Sequence, residues 1–384
     1  MSVFSLPSNI SEIIERMHGK VQSFSNVWQT AVLPSPCIQN HAAFLYRNLF
    51  GDLQCAWFAG GLEGKSDICI YSSILDEKSG LWQPAQALTD DPVRSEQNPV
   101  LFSPDGHRTL LFHTAQPGGN QDQCIVRMHE VGKSPKNTNL PMGSFVRACP
   151  ILRSDGAWLL PLHHCTHVPG FRWTGGHDYA SVAITADQGK SWRCVDVPNS
   201  TGCVHMTLVP LEGNKIIALF RRRQSDFVYK TLSEDGGESW EVPTATNIPN
   251  NNSSIAAMRL KDGRIALVCN PVNAQMDNSR RASLYDELGI DERPEAEGGC
   301  QPIWGVVRAP LSLFFSADEG KYFGDEMILW NSTGNCMTNN SEDGLNQELS
   351  YPTILQSDTG DLDIAFTLHR RAIAHIRIPH SALE

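Results

Sequence analysis

The chain has 384 residues, 41% of them apolar, and a formal net charge of −11. That balance excludes a general nucleic-acid binder, and no apolar run approaches a membrane span, so neither nucleic acid nor membrane is expected as a partner. It leaves room for a local cationic pocket that takes an anionic ligand.

The first twenty residues carry Glu12, Glu15 and Arg16 and lack an apolar h-region. The eleven cysteines form no CxxC pair. Together these features predict no secretory leader, a cytoplasmic location and free thiols. Residues 1–26 read as an N-terminal helical extension. Ser11 is placed to cap a short helix whose apolar face is Ile13, Ile14 and Met17. Residues 27–33 read as a strand that leads into Pro34-Ser35-Pro36.

A unit then recurs. Each copy has an apolar strand, a Gly/Asp turn, a second strand, a polar loop and a third strand. The copies begin at residues 40–45, 97–102, 147–152, 205–209, 254–260 and 351–356. Their spacing of about 50 residues is that of propeller blades. The turns are Gly51-Asp52, Asp105-Gly106, Asp155-Gly156, Glu212-Gly213, Asp262-Gly263 and Thr359-Gly360. One blade cannot bury both faces alone, so six close into a ring. The expected fold is all-β: one six-bladed β-propeller over 27–384 with a short N-terminal helix. The early strand completes the last blade. So faithful a repeat argues against a sandwich plus a second domain. Residues 271–305 break the pattern. They either overhang the mouth or form a surface excursion.

The first strand of each blade lines the axis of such a ring, and its leading end opens on one face. The residues there are Asn40 and His41; Arg94, Gln97 and Asn98; Arg147; His205; Asn252; and Glu348 with Tyr351. Nearly all are ionisable or amide groups, which suits a hydroxyl-rich ligand. The loops after the second strands add Glu63, Asp122, Arg221, Arg223 and Arg371. With Arg308 these give a set of arginines whose forks suit a carboxylate. His41 and His205 are the expected general acid or base groups, with Glu63, Asp122 and Glu348 as further ones. Tyr351 is a candidate nucleophile with Glu348 as its partner. His163-His164, with His167 and His177, lacks metal-ligand spacing, so no metal or other cofactor is expected.

Ser233-Glu234-Asp235-Gly236-Gly237-Glu238-Ser239-Trp240 has the form Ser/Thr-x-Asp-x-Gly-x-x-Trp. Thr185-Ala186-Asp187-Gln188-Gly189-Lys190-Ser191-Trp192 repeats it. Ser316-Ala317-Asp318-Glu319-Gly320-Lys321-Tyr322-Phe323 is a third copy with Phe for Trp. Side-chain bonds to local backbone, a Gly at positive φ and an aromatic plug make a tight turn of each. The motif resembles the Asp-box, or BNR repeat, of sialidases, and the span 27–378 resembles their superfamily. The resemblance implies retaining exo-hydrolysis of terminal sialic acids. It implies an arginine triad on the substrate carboxylate, a Tyr/Glu nucleophile pair and an Asp acid/base. Ser350-Tyr351 matches the family's tyrosine. Arg221 or Arg223, and Arg308, match two of its arginines. Where the family has Arg-Ile-Pro, this chain reads Cys37-Ile38-Gln39-Asn40-His41. Where it has a glutamate before the fifth blade, this chain reads Asn250-Asn251-Asn252. The acid/base loop offers Glu63 or Asp67.

Three readings follow. The first is a sialidase-type hydrolase acting on a terminal acidic sugar, with Tyr351 attacking and Glu63 protonating. The second is a lyase, in which His41 or His205 takes the proton beside a uronate carboxylate that an arginine and Asn40 neutralise. The third is a non-catalytic glycan-binding propeller.

Overall fold

The computed structural model describes residues 7, 9–24, 27–289 and 291–383. Its strands form six separate antiparallel sheets in chain order around a common axis. The fourth shows the pattern: Cys203–Pro210, Ile216–Arg222, Phe227–Ser233 and Thr244–Pro249 pair in sequence from axis to rim. Inner and second strands are buried on both faces because each sheet is covered by a neighbour on either side. They therefore read as continuous apolar runs rather than strict alternation. Core clusters sit between blades. One joins Leu159 and Val182 of the third blade to Leu208 and Phe220 of the fourth.

The ring is closed by the N-terminal segment. Gln29–Val32 pairs with Ala374–Arg377 on the outer edge of the sixth blade, as the sequence predicts, and Gln22–Ser23 pairs outside it. Closure by a distant strand ties the two ends of the ring together and removes a free sheet edge. The helix is Ile10–Arg16. Its cap is Asn9, whose side chain accepts from the Glu12 amide at 3.0 Å, and not Ser11. Ile13 is fully buried and Met17 packs beside the same core, while Ile14 is 49% exposed. The apolar face expected from spacing is thus narrower by one residue.

The three Asp-box turns have the same wiring. Ser233 Oγ donates to Asp235 and accepts from the Gly237 amide at 2.8 Å. Asp235 Oδ1 accepts from the Glu238 and Ser239 amides. The copies at Thr185 and Ser316 repeat the hydroxyl–Asp bond, the glycine amide bond and the bond from the last of these amides to Asp Oδ1. The turn also seals one blade on the previous one. A Cβ on Gly237 would lie 2.5 Å from Leu159 Cδ2, and one on Gly320 would lie 2.5 Å from Ile217 Cδ1. Gly237 also has φ +88°. Gly237→Ala is therefore expected to cost about 2–4 kcal/mol, from the left-handed backbone and the clash together. Gly213→Ala has positive φ and open space, so about 1–2 kcal/mol is expected there. Urea unfolding of both checks the difference. Equal losses would show that the inter-blade contact contributes nothing.

The third blade departs from expectation. Its inner strand is two short pieces, Ser144–Phe145 and Ile151–Leu152, rather than one run over 147–152. Pro150 lacks the amide a continuous ladder would need. The break leaves Arg147 free to turn into the axis.

Candidate active site

Inner strands end in a repeated distortion. Bulges fall between His41 and Phe44, Gln97 and Val100, Val204 and Thr207, and Ser350 and Thr353. Each contains one residue with positive φ: Ala42, Asn98, His205 and Tyr351. Asn252, just before the fifth inner strand, has φ 55° as well. A left-handed residue reverses the strand alternation and re-aims a side chain. Such strain in non-glycine residues is characteristic of functional sites. Here it brings Asn98, His205, Asn252 and Tyr351 towards one mouth.

Tyr351 is the centre. Its phenol oxygen accepts from Arg221 Nη1 at 2.8 Å. Its ring stands 4.2 Å from that of His41 and 5.4 Å from that of His205. The guanidinium carbons of Arg147, Arg221 and Arg308 lie 5.5, 5.8 and 5.7 Å from its centroid. Arg221 is held in turn by Asn252, whose Oδ1 accepts from Nε at 2.7 Å.

Among the described residues, five buried guanidiniums meet three carboxylates here. Arg223 is gripped by Asp178 at 2.6 and 2.9 Å. Arg308 donates to Glu348 at 2.8 Å. Arg370 lies 2.7 Å from Glu348, at an angle unsuited to a hydrogen bond, and is also paired with Glu63. Burial would raise the Glu348 carboxyl, but Arg308 and Arg370 outweigh it and hold it far below the carboxylate range. Among the described residues no carboxylate pairs with Arg147 or Arg221. Burial pulls both down to about 10, so both stay cationic at neutral pH. Arg221 Nη2 is buried with no partner. An uncompensated buried charge is costly, and an anionic ligand relieves it.

The histidines are different. Burial, assisted by Arg370 for His41 and by Arg221 for His205, pushes both imidazoles well below their ordinary range. His163 is lowered in the same way. Elsewhere in the ring, burial takes His113 down to about 3 and His369 to about 4. These rings are neutral in the fold, whereas an unfolded histidine titrates near 6.5. The unfolded chain therefore binds more protons below that value, and stability falls as pH drops from 6.5 towards the folded values. Thermal unfolding between pH 8 and 4 is expected to show a decline that begins near 6.5, above the carboxylate range. His113→Leu should flatten it by up to about 1.4 kcal/mol per pH unit. A melting temperature constant down to pH 5 would contradict this assignment.

The remaining predicted residues divide. Glu63, Gln97, Asn98, His205, Arg221, Arg223 and Tyr351 line one small cavity at the mouth. Arg308, Glu348 and Asn252 surround it. Asn40 is occupied by the Cys37 and Arg371 carbonyls and the Trp57 indole. Arg94 donates to the Ala115 and Gln123 carbonyls, and Asp122 meets His167 at 2.6 Å. Arg147 spends Nη2 on the carbonyls of Ala43, Tyr351 and Pro352. Asp67, the other acid/base option, accepts from the Gly61 amide in its own turn. Arg371 lies outside the cluster, donating to the Cys37 carbonyl, while Arg370 enters it. His369 and Arg370 both have positive φ, which upsets the alternation that would have chosen between neighbours. His163 and Gln121, which follow or end second strands, also belong to the site, as does Asp178, which carried no signal in the sequence.

Leu284, Tyr285, Leu288 and Trp304, from the segment that breaks the repeat, cover the mouth. Leu284 lines the cavity, and Tyr285 Oη accepts from Gln116 and Gln121 at 2.9 and 3.1 Å. The Leu288 side chain sits against Gly64 and Gly119. Trp304 stacks near Arg221 and Arg223. The space beneath this cover is about 10 Å³, barely room for one water. Admission of anything larger requires the cover to move.

A family model described as BNR repeat-like domain matches residues 51–364. No curated protein matches the chain. Among solved structures, a Hadza microbial sialidase superposes with a TM-score of 0.66 at 10% identity, over 90% of this chain and 66% of that one. A Dyadobacter fermentans protein of unknown function gives 0.65 at 12%, over 91% and 97%. Trypanosoma rangeli sialidase in complex with sialic acid gives 0.58 at 13%, over 90% and 54%. This chain therefore spans less than two thirds of either sialidase, and at such identities the likeness is one of fold. With the family model covering most of its length, the chain belongs to the BNR repeat-like domain family, on the six-bladed propeller that it shares with sialidases.

Proposed function

We propose that the chain is a sialidase-type glycosidase that cleaves a terminal acidic sugar. The observation that carries this reading is Arg221, buried beside Tyr351 with no carboxylate partner among the described residues and an unpartnered Nη2. A substrate carboxylate supplies the missing anion there, with Arg308 at its side. Tyr351 Oη, held by Arg221, attacks the anomeric carbon as its phenolic proton passes to Glu348, whose Oε1 has no hydrogen-bond partner among the described residues. The glycosidic bond breaks as the leaving oxygen takes a proton. Glu63, a carboxyl that lines the cavity, gives that proton, which it takes up from solvent once its pairing with Arg370 opens. Water then releases the sugar from tyrosine with retained configuration.

One feature favours a second reading. His41 Nε2 and His205 Nδ1 are buried without partners, and both rings are neutral. Asn252 also stands beside Arg221 where the resemblance leads one to expect a carboxylate. A neutral imidazole beside an arginine-bound uronate suits proton abstraction by a lyase.

The test is incubation of the purified chain with sialosides and uronate-capped oligosaccharides, following free sugar and ultraviolet absorbance together. Free acidic sugar with no absorbance supports the hydrolase. Rising absorbance moves the chain to the lyase class. Silence on both readouts removes the enzymatic reading for these sugars.

A further inference from the structure

The axis holds a second cavity behind Tyr351. Its lining continues along the same inner strands past His41, His205, Asn252 and Tyr351, so it opens on the opposite face. It measures about 440 Å³, within the roughly 300–1,000 Å³ of small-molecule sites. Its walls are mainly apolar, with Phe44, Leu45, Leu208, Ile255 and Ile354 among them.

One buried charge lines it. Arg147 is 5% exposed, and although Nη2 meets three carbonyls, Nε has no partner. Among the described residues no carboxylate pairs with this guanidinium. The other charged lining residue is Arg259, whose partner Glu212 is an exposed rim contact at 3.5 Å. An apolar chamber with a buried, uncompensated cation is complementary to a molecule with an apolar body and one anionic end. A fatty alcohol would leave the charge unanswered, and an alkylammonium ion would repel it.

We infer that this rear chamber is a binding site for a small amphipathic carboxylate, whose chain fills the cavity and whose carboxylate meets Arg147. The site is separate from the mouth, since Tyr351 and its histidines lie between them. Cys149 lines the chamber, so a large side chain there obstructs it.

Calorimetric titration of the full chain with octanoate, octan-1-ol and octylammonium tests the assignment. Octanoate is expected to bind at least about tenfold more tightly than either analogue, and Cys149→Trp to weaken it by about tenfold or more. Ala148→Phe is the alternative block if Trp at 149 lowers the unfolding temperature. Arg221→Leu, at the mouth, should leave octanoate affinity within about twofold. No octanoate binding at millimolar concentration overturns the proposal. So does equal affinity for octan-1-ol, which would make the chamber merely apolar. Loss of binding in Arg221→Leu would place the anion at the mouth instead.

Discussion

Tyr351→Phe is expected to lower kcat/KM on the cleaved substrate by at least about 10³-fold, since it removes the attacking atom itself. The ring keeps its contacts with His41 and His205, and only the bond from Arg221 is lost. Stability should therefore fall by only about 1–3 kcal/mol, the cost of leaving a buried charged donor unmet. Steady-state kinetics and urea unfolding on the same preparation separate the two effects. Activity within about tenfold of the parent would move the nucleophile elsewhere. A lyase built on His41 or His205 would keep most of its rate in this variant, so the experiment also distinguishes the two chemistries.

Glu348→Gln is expected to be the most destabilising single change in the site. The carboxylate is fully buried and compensates Arg308 and Arg370 together. Removing one partner of a buried pair costs about 3–5 kcal/mol, because the other charge stays behind. Arg370 keeps Glu63, which places the loss towards the lower end of that range. Glu63→Gln leaves Arg370 paired with Glu348 and should cost less. The pH dependence carries the same information. A carboxyl depressed in the fold stabilises above its unfolded value near 4.5 and loses that contribution as pH falls below it. The parent should thus lose more stability than Glu348→Gln on passing below pH 4.5. A urea midpoint for Glu348→Gln equal to that of the parent would show that the arginines find compensation from water or from one another.

The site and the Asp-boxes obey different kinds of rule. Asp235, Ser233 and Gly237 satisfy one another within five residues, so their turn is written in the local sequence. The same is true of the strand period, of the Gly/Asp turns and of the closing strand at Gln29–Val32, whose partner follows once six blades are counted. Local hydrogen bonds and side-chain alternation need no tertiary context. The leading ends of the inner strands and the loops after the second strands could also be located, which is why Tyr351 and His205 from the first, and Arg221 and Glu63 from the second, were legible as mouth residues.

What only the tertiary structure decided is how those groups are charged and shared. Tyr351, Arg221 and Arg308 come from the sixth, fourth and fifth blades and meet only because the ring closes. Left-handed residues at Tyr351, His369 and Arg370 overturn the alternation from which side-chain direction is inferred, so Arg370 takes the place expected of Arg371. Asn40 and Arg94 look like ligand groups in sequence, yet neighbouring carbonyls occupy them. The cover formed by Leu284, Tyr285, Leu288 and Trp304 depends on contacts with the first, second, third and fourth blades. Pairing across the axis is a property of the closed ring, and no periodicity within one blade encodes it.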